Sequence, residues 1–497
     1  MSIPADILAV ERPKNTFVIC YGKNRDRYAV RKREGCRYDH GRRVPINGKT
    51  IGHIIDHKFV PIDEAPKAPV TTAPVTLKDW GNVVLCDQLC HDLLEELEKV
   101  YTRSDAEKLY CAAVLRVAYP GIKDYELQTA YQDSFLSERY PDVALSKNTV
   151  SSFWGNLGRS YAMIRSYMKI RAAAVMKTDH VLIDGTLKSD ESEVNSLSDY
   201  SRKARMKGTR DISVLYAFDL EKKEPICSEC FPGNMLDATS YEAFIKDNHI
   251  KHGIMVGDKG FPSSSIETIL NSESDLHYLN PLKRDSRYIE DYDLFHYEGQ
   301  LKGHETVLFK RVYVEKKKKW LYSYCDIAQA HKEDFGWLHS TSKSGDYSQE
   351  AYEEDRKKFG TLLLESDLEM DAETAYQAYA CRWEIELVMR YYKQACELDE
   401  TRVHSDYSVI GSEFCSFLSS VITYRLLNRF EKEELFDNLT YKKIMHVLTR
   451  AKKVKADDSE WQLIKMNPSQ IEILQKLDLL EKPAPKKRGR KPKKQTV

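Results

Sequence analysis

Two aspartates stand where apolar, strand-like runs of the sequence end. Asp184 follows Val181-Leu-Ile, and Asp258 follows Ile254-Met-Val-Gly. If the two strands are neighbours, both carboxylates lie at one edge of a sheet, where α/β proteins bind ligands. Adjacent anions repel unless a cation lies between them, and carboxylate oxygens suit Mg²⁺, with Mn²⁺ as a substitute. Alternatively, each aspartate only begins a loop, because Asp-Gly is common turn chemistry.

A third carboxylate lies in a segment whose polar side chains share one helix face. Arg382, Glu386 and Lys393 follow Tyr379 by three, seven and fourteen residues, which places all four within roughly a 60° arc of a helix. The rival carboxylate, Glu384, has an offset of five and points roughly 140° away from Tyr379. Glu386 is therefore the better candidate for a third metal ligand, although an ordinary polar surface stripe has a similar pattern.

The elements that would position these residues follow from the patterning of the whole chain. Its 497 residues are 42% hydrophobic and 31% charged, which predicts a globular protein of several domains. Short apolar runs between turn residues predict strands, and apolar spacing of three to four residues predicts helices. The patterns predict a small basic β-rich module, a Pro-rich linker, a helical domain, an α/β domain, a β-rich interruption, the last helices of the α/β domain, a C-terminal helical region and a basic disordered tail, over residues 1–63, 64–76, 77–176, 177–287, 288–368, 369–430, 431–481 and 482–497.

One helix of the helical domain has two interpretations. The segment that begins at Ser146 starts with a capping residue and continues with helical spacing. It could be the second helix of a helix-turn-helix, or a plain core helix. The pattern leaves both interpretations open.

The charge distribution and the cysteine content indicate the partners and the cellular compartment of the protein. Lys and Arg together number 76, as do Asp and Glu, so the formal net charge is zero. Bulk electrostatics therefore gives no reason to expect nucleic acid, but both ends of the chain are rich in Lys and Arg and fit polyanions. Eleven cysteines without a framework predict reduced thiols. No signal peptide or membrane-spanning stretch is visible, which predicts a cytoplasmic protein without membrane contact.

The helix-face residues also form a recognisable motif. Tyr379, Arg382, Glu386 and Lys393 match the Y-x2-R-x3-E-x6-K signature of bacterial insertion-sequence DDE transposases of the cut-and-paste group. The blocks at 231–237, 258–261 and 281–284 also resemble blocks of that family. The resemblance covers about residues 181–427.

The resemblance implies a fold and an activity. The fold is α/β, a ribonuclease H-like catalytic domain (177–287 and 369–430) interrupted by a β-rich insertion subdomain (288–368). The module at 1–63 would be a candidate for DNA binding, and the helical domain at 77–176 a candidate for binding DNA ends. Asp184, Asp258 and Glu386 would be the catalytic, metal-binding triad, with Mg²⁺ as cofactor. The substrates would be terminal inverted repeats and target DNA, joined by two-metal-ion phosphoryl transfer in a homodimeric synaptic complex, at the bacterial nucleoid.

Further residues are candidates for DNA contact. By the same resemblance, Tyr379, Arg382 and Lys393 would contact a phosphate near the cut. Lys259, beside Asp258, and the pair Lys283 and Arg284 are candidates for holding the DNA backbone, with a solvated surface role as the alternative.

The basic tail is a separate candidate for DNA contact. Arg488-Gly-Arg490 resembles the AT-hook core that enters narrow A·T minor grooves. The usual core continues with Pro, whereas here Lys491 precedes Pro492. This departure favours generic phosphate binding over groove recognition.

Three other functions compete with transposition. Glycoside hydrolysis also uses paired carboxylates, but it does not explain Arg382 and Lys393 on the face of Glu386 or the basic termini. A non-catalytic DNA-binding descendant conflicts with the intact triad. A stand-alone nuclease on the same fold stays open, because cutting and joining need the same residues.

Overall fold

A computed structural model describes most of the chain. The residues described are 3–22, 27–39, 41–62, 75–190, 192, 194–199, 210–235, 238–257, 275–382, 400–401, 403, 405–456 and 459–481. They fall into two compact units, Met1–Val75 and Thr76–Val497. The predicted linker lies mostly outside the described residues, as does the whole basic tail.

The first unit is a four-stranded antiparallel sheet with a short helix. In chain order its elements are α1 (Ala5–Leu8), β1 (Thr16–Tyr21), β2 (Arg27–Asp39), β3 (Arg42–Ile55) and β4 (Lys58–Pro61), and the strands pair in that order. Its small core contains Ile7, Val18, Val30 and Ile54. Gly52 is required there, because a Cβ atom would lie 2.4 Å from the Phe59 ring.

A ten-stranded sheet dominates the second unit. Nine of its strands lie in the order β11-β12-β13-β14-β10-β9-β6-β7-β8, and β15 pairs with β6. The pairs β6–β9, β9–β10 and β6–β15 are parallel and the others antiparallel. The strands are β6 (His180–Asp190), β7 (Arg210–Asp219), β8 (Glu224–Pro232), β9 (His252–Val256), β10 (Asp275–Pro281), β11 (Gly299–Gln300), β12 (Val307–Val314), β13 (Lys319–Asp326), β14 (Thr361–Ser366) and β15 (Glu400–Thr401).

Helices cover this sheet, and a second, smaller sheet joins the two ends of the unit. The helices are α2 (Gly81–Glu98), α3 (Arg103–Ala118), α4 (Leu127–Gln132), α5 (Leu136–Arg139), α6 (Lys147–Arg159), α7 (Tyr161–Ala172), α8 (Ala238–Asp247), α9 (Tyr288–Asp291), α10 (Ile327–Ser344), α11 (Gln349–Arg356), α12 (described over 372–382), α13 (Asp406–Lys432), α14 (Tyr441–Arg450) and α15 (Pro468–Lys476). Single 3₁₀ turns span Asp124–Glu126 and Glu315–Lys317. The small sheet has the order β17 (Gln462–Leu463), β16 (Lys452–Ala456), β5 (Val75–Asp79).

The second unit has one main hydrophobic core. Sequence patterning separates residues 77–176 from the α/β region, whereas the structure joins residues of both in the same buried cluster. The element that joins them is α13, which packs against α2, α3 and α6 on one side and β8 on the other. Its buried positions occur all around the helix, so periodicity alone could not show which neighbours it would have.

The stretch predicted as a β-rich interruption extends the main sheet. Strands β11–β14 continue from β10 in a single hydrogen-bonded series, with β14 antiparallel to β10. The stretch also contains the helices α10 and α11, which the strand-like pattern did not predict. A small second core lies here, around Leu294, Val314, Leu321 and Leu363.

The helix that begins after Ser146 is α6, and it packs closely against α13. Val150 and Trp154 are fully buried, which supports the interpretation as a core helix. A Cβ atom on Gly158 would lie 1.9 Å from the Tyr407 carbonyl oxygen, and one on Gly411 would lie 2.1 Å from that of Trp154. The two backbones therefore touch, and only glycine fits at these positions.

This contact predicts opposite effects for two glycines of α6. Gly158→Ala should destabilise the protein by about 2 kcal/mol, because the backbone of Tyr407 has to move. In Gly155→Ala, the matched control, the new methyl group meets Arg159 and Ser408 at ordinary distances of 3.5 and 3.6 Å. That change should be neutral or stabilise by up to about 1 kcal/mol, because Ala favours helix. Urea unfolding measures both, and equal stability of the two variants would contradict the close packing.

Candidate active site

Asp184 lies on β6, an inner strand of the main sheet between β9 and β7. The preceding residues Val181, Leu182 and Ile183 are buried, whereas Asp184 is partly exposed. It is paired across the antiparallel ladder with Tyr216 of β7. The sequence predicts that the strand ends at Asp184, but β6 continues to Asp190 because the ladder with β7 continues. Asp184 therefore lies within the strand, where the fully buried run ends.

The strand before Asp258 is the parallel neighbour of β6. In the register between β6 and β9, Leu182 lies opposite Val256. Asp184 follows Leu182 by two residues, and Asp258 follows Val256 by two residues. The predicted neighbourhood of the two strands is thus present, while Asp258 itself lies outside the described residues.

A buried tyrosine that sequence reasoning missed accompanies Asp184. Burial, and secondly the negative charge of Asp184, raise the pKa of Tyr424 on α13 well above its ordinary value. The ring of Tyr424 lies 5.6 Å from that of Phe218 on β7. The phenol of Tyr424 therefore stays neutral within the electrostatic influence of the Asp184 carboxylate. In the sequence Tyr424 has the pattern of an ordinary core aromatic.

A buried ion pair fixes β6 to α13 four residues beyond Asp184. Lys188 donates a hydrogen bond through Nζ to Oε2 of Glu413. Their side chains are only 2% and 6% exposed, respectively. Each of these buried charges lacks water and is stabilised by the opposite charge, so the ion pair holds β6 and α13 in one register.

The helix α12 carries two of the predicted phosphate contacts. Tyr379 is buried, and Arg382 is partly exposed on the same side of the helix. The guanidinium carbon of Arg382 lies 5.8 Å from the centre of the Tyr379 ring, within the range of a cation–π contact. The predicted helix-face neighbourhood is therefore present for these two residues.

Tyrosines of β13 hold the beginning of α12. The Tyr324 hydroxyl donates to the Ala372 carbonyl at 2.8 Å. The Tyr322 hydroxyl accepts from the Met370 amide at 2.9 Å and donates to its carbonyl at 3.2 Å. Arg311 also donates to the Met370 carbonyl, at 2.9 Å. The inserted strands thus position the helix that carries Tyr379 and Arg382.

A surface pocket of about 670 Å³ adjoins these residues. Its lining includes Tyr379, Arg382, Arg284 and Glu333. The Arg284 guanidinium donates to both carboxylate oxygens of Glu333, at 2.8 and 3.1 Å, and to the Thr361 carbonyl at 2.9 Å. Although burial acts in the opposite direction, the hydrogen bond from Arg284 lowers the pKa of Glu333.

These contacts bear on two of the predicted DNA-binding residues. The guanidinium of Arg284 donates its hydrogen bonds to groups of the protein itself, and it therefore forms part of the pocket wall. Lys283 is exposed. DNA contact by either residue stays a prediction.

Several predicted site residues lie outside the described part of the chain. They are Asp258, Lys259, Glu386, Lys393, Arg488 and Arg490. Among the residues that are described, no group of three or more His, Cys, Asp or Glu side chains could hold a metal ion. No disulfide links two of the described cysteines. The described helices include none that is long and apolar enough to cross a membrane.

The chain is similar to proteins that rearrange DNA. Residues 176–409 match the family model of the transposase DDE domain. Seven chains of solved structures match. One belongs to the cryo-EM structure of the piggyBac transposase synaptic complex with hairpin DNA; it is 13% identical, with 74% of this chain and 80% of that chain covered and a TM-score of 0.37. No curated protein matches.

The family match defines the class of this domain. Residues 176–409 match the transposase DDE domain, which is ribonuclease H-like by family. The domain implies a DNA endonuclease and strand-transferase activity of DNA transposition, and enzymes with this domain depend on divalent metal ions. The domain contains the strand of Asp184 and the helix of Tyr379 and Arg382.

The buried ion pair between Lys188 and Glu413 predicts that substitutions of these two residues have non-additive effects on stability. Lys188→Met should cost about 3–5 kcal/mol, because it leaves Glu413 charged and buried without its partner. Adding Glu413→Leu should recover most of that loss. Chemical unfolding of the two single variants and the double variant measures the coupling. The control is Arg103→Ala, which removes the ion pair of an exposed arginine with Glu107 and should change the free energy of unfolding little. Additive losses of stability at positions 188 and 413 would contradict the coupling.

Proposed function

We propose that the protein is an insertion-sequence transposase of the cut-and-paste group. It cleaves DNA at the terminal inverted repeats and joins the freed 3′-hydroxyl to target DNA. The observation that carries the proposal is the parallel pairing of β6 with β9 within the part of the chain that matches the transposase DDE domain, because Asp184 and Asp258 each follow a paired residue of these strands by two positions. The complete Y-x2-R-x3-E-x6-K signature supports the group and its bacterial origin.

The proposed metal ligands are Asp184, Asp258 and Glu386. The partly exposed carboxylate of Asp184, after a buried run of β6, fits a hard divalent cation such as Mg²⁺, with Mn²⁺ as a substitute. The triad would hold a pair of such ions, which would supply activation of the attacking oxygen and stabilisation of the leaving oxygen of the phosphodiester. Tyr424, whose phenol stays neutral, would add no negative charge to those of the three carboxylates.

The role proposed for α12 is to position DNA at the cut. The guanidinium of Arg382 is partly exposed beside the buried Tyr379, so it can donate hydrogen bonds to a phosphate while the ring fixes its direction. Lys393 lies eleven residues further on, which returns it to nearly the same helix face. These contacts align the phosphodiester for an in-line displacement.

Other contacts complete the proposed complex with DNA. Lys259, which follows Asp258 in the sequence, and the exposed Lys283 would contact the DNA backbone. The tail, with Arg488 and Arg490, would add sequence-independent attraction to phosphates. Two transposon ends have to be held together for cut-and-paste chemistry, so a homodimer on DNA is proposed. The β-strands inserted between β10 and α12 are proposed to be the insertion subdomain of the group.

A stand-alone nuclease and a non-catalytic DNA-binding descendant are the competing functions. Incubation of the purified protein with labelled inverted-repeat DNA, an unlabelled target and Mg²⁺ separates the three. A transposase yields joined products on a gel, a nuclease yields cut ends only, and a descendant without activity leaves the DNA intact. The proposal requires joined products.

The first test of the site concerns the triad. Asp184→Ala, Asp258→Ala and Glu386→Ala should each abolish cleavage of end DNA in Mg²⁺, because each removes a proposed metal ligand. Glu384→Ala is the matched control, on the same helical segment but turned away from the signature face, and should retain cleavage. Loss of cleavage in Glu384→Ala with retention in Glu386→Ala would assign the third ligand to the other glutamate.

The second test separates phosphate binding from metal binding. Arg382→Ala and Lys393→Ala should lower cleavage roughly ten- to a hundredfold, the equivalent of about 1.5–3 kcal/mol for one charge-assisted contact. Neither change should alter the Mn²⁺ affinity of the folded protein. Cleavage is measured by gel at fixed low salt, since ionic strength screens the contact. A variant that lost Mn²⁺ affinity but kept DNA affinity would show that its side chain supports the carboxylates instead.

A further inference from the structure

The first unit contains a long β-hairpin whose outer half stands apart from the rest of its sheet. β1 pairs only with residues 27–32 of β2, and β4 pairs only with residues 52–55 of β3. Residues 33–39 and 42–47, here called the distal ribbon, pair with each other. In the described structure the one further backbone hydrogen bond of the ribbon lies at its base, from the Arg33 amide to the Asn15 carbonyl at 2.8 Å. At about 3.3 Å per residue, this ribbon is roughly 20 Å long.

The distal ribbon does not contribute to the core of its unit. The buried residues of that core lie at the other end of the sheet or in α1. On the ribbon, Tyr38 is 77% exposed and Ile46 is 44% exposed. An isolated two-stranded ribbon is marginally stable in water, so burial within this unit does not explain its length.

The ribbon and its base are strongly cationic. Residues 31–49 contain five arginines and two lysines against Glu34 and Asp39, in a chain whose total charges balance. The exposed cationic residues are Lys32, Arg33, Arg37, Arg42, Arg43 and Lys49. In the described structure none of them forms an ion pair with a carboxylate. Their charges are therefore available to a polyanion.

Protection of the open strand edges is the simplest alternative explanation. Charged side chains on an edge strand prevent pairing with another chain, and lysine is the usual choice. Charges of either sign serve that purpose, so it does not explain the excess of positive charge. It also does not explain the preference for arginine, whose planar guanidinium suits phosphates and the edge of guanine.

We propose that the distal ribbon lies in the major groove of duplex DNA. The groove of B-DNA is about 12 Å wide and admits a two-stranded ribbon. Arg37 pairs with Val44, and Arg42 pairs with Asp39, so Arg37 and Arg42 lie on one face of the ribbon. Arg43 pairs with Tyr38 and lies on the other face. Arginines on both faces can reach the two phosphate backbones that flank the groove, while the ribbon between them meets the base edges.

The choice of DNA among polyanions rests on the proposed function, but the ribbon as a contact goes beyond it. A transposase could hold DNA through its catalytic domain and tail alone. The ribbon adds a second DNA contact, in a unit separate from the one that contains the DDE domain. The contribution of this contact to DNA binding can be measured without any cleavage.

The test compares two pairs of substitutions that remove equal charge from the first unit. Arg37→Ala/Arg43→Ala removes two cations from the distal ribbon. Arg27→Ala/Lys58→Ala removes two exposed cations from the opposite end of the sheet, roughly 30 Å away along β2. Full-length proteins are titrated against a labelled duplex of about 30 base pairs by fluorescence anisotropy, without divalent metal, over a range of salt concentrations.

The ribbon pair should weaken binding at least about tenfold near 0.1 M salt and lower the slope of log affinity against log salt by about two. The control pair should change the affinity less than about threefold. Equal effects of the two pairs would overturn the proposal. Circular dichroism melting should match the wild type, and if the Ala pair melts earlier, Arg37→Gln/Arg43→Gln replaces it.

Two further arms test the groove and the class of nucleic acid. Methyl green, which occupies the major groove, should displace the protein, and distamycin, which occupies the minor groove, should not. Duplex RNA of equal length should bind more weakly, because its major groove is too narrow for the ribbon. Displacement by distamycin alone, or equal affinity for duplex RNA, would overturn the major-groove assignment.

The outcome also separates this proposal from the proposed function. Binding is measured without metal, so an inactive protein would still show the effect of the ribbon pair. If the ribbon pair bound, cleaved and joined DNA as the wild type does, the ribbon assignment alone would fall. If the ribbon pair lost binding and no protein joined DNA, the proposed function alone would fall.

Discussion

The rest of the second unit depends on the burial of α13 between helices and sheet. The helix touches α6 backbone to backbone at Gly411, and it carries Glu413, whose partner Lys188 lies on β6. One turn after Glu413, the ring of Phe417 stacks 6.5 Å from that of Tyr216 on β7. Because every side of α13 is occupied, neither the helical segment nor the sheet can shift alone.

This rigidity matters for chemistry that requires carboxylates to be held against their own repulsion. Asp184 lies on the strand that Lys188 anchors, and Tyr424 of the same helix borders it as a neutral group. A site built on central strands keeps its geometry before the metal and the DNA arrive. The enzyme therefore uses the stability of its core to hold groups that would otherwise separate.

The strands between β10 and α12 have a structural role beside the candidate site. They extend the main sheet, and the hydroxyl groups of Tyr322 and Tyr324 fix the backbone where α12 begins. Arg284 and Glu333 tie α10 to the segment after β10 at the wall of the adjoining pocket. These strands and α12 are thus coupled by ordinary hydrogen bonds, which would carry a displacement of one to the other.

Local periodicity and residue type were enough to predict the buried run that leads to Asp184, the helix face shared by Tyr379 and Arg382, and the helix after Ser146. They did not predict that β6 continues to Asp190, because that extension depends on its pairing with β7. The tertiary structure determines which elements are neighbours. It joins the helical segment and the sheet in one core, continues the sheet through β14, brings Tyr424 near Asp184, and pairs Arg284 with Glu333. Periodicity reports which face of an element is apolar, but contacts between distant residues depend on how those faces pack, and packing is a property of the whole chain.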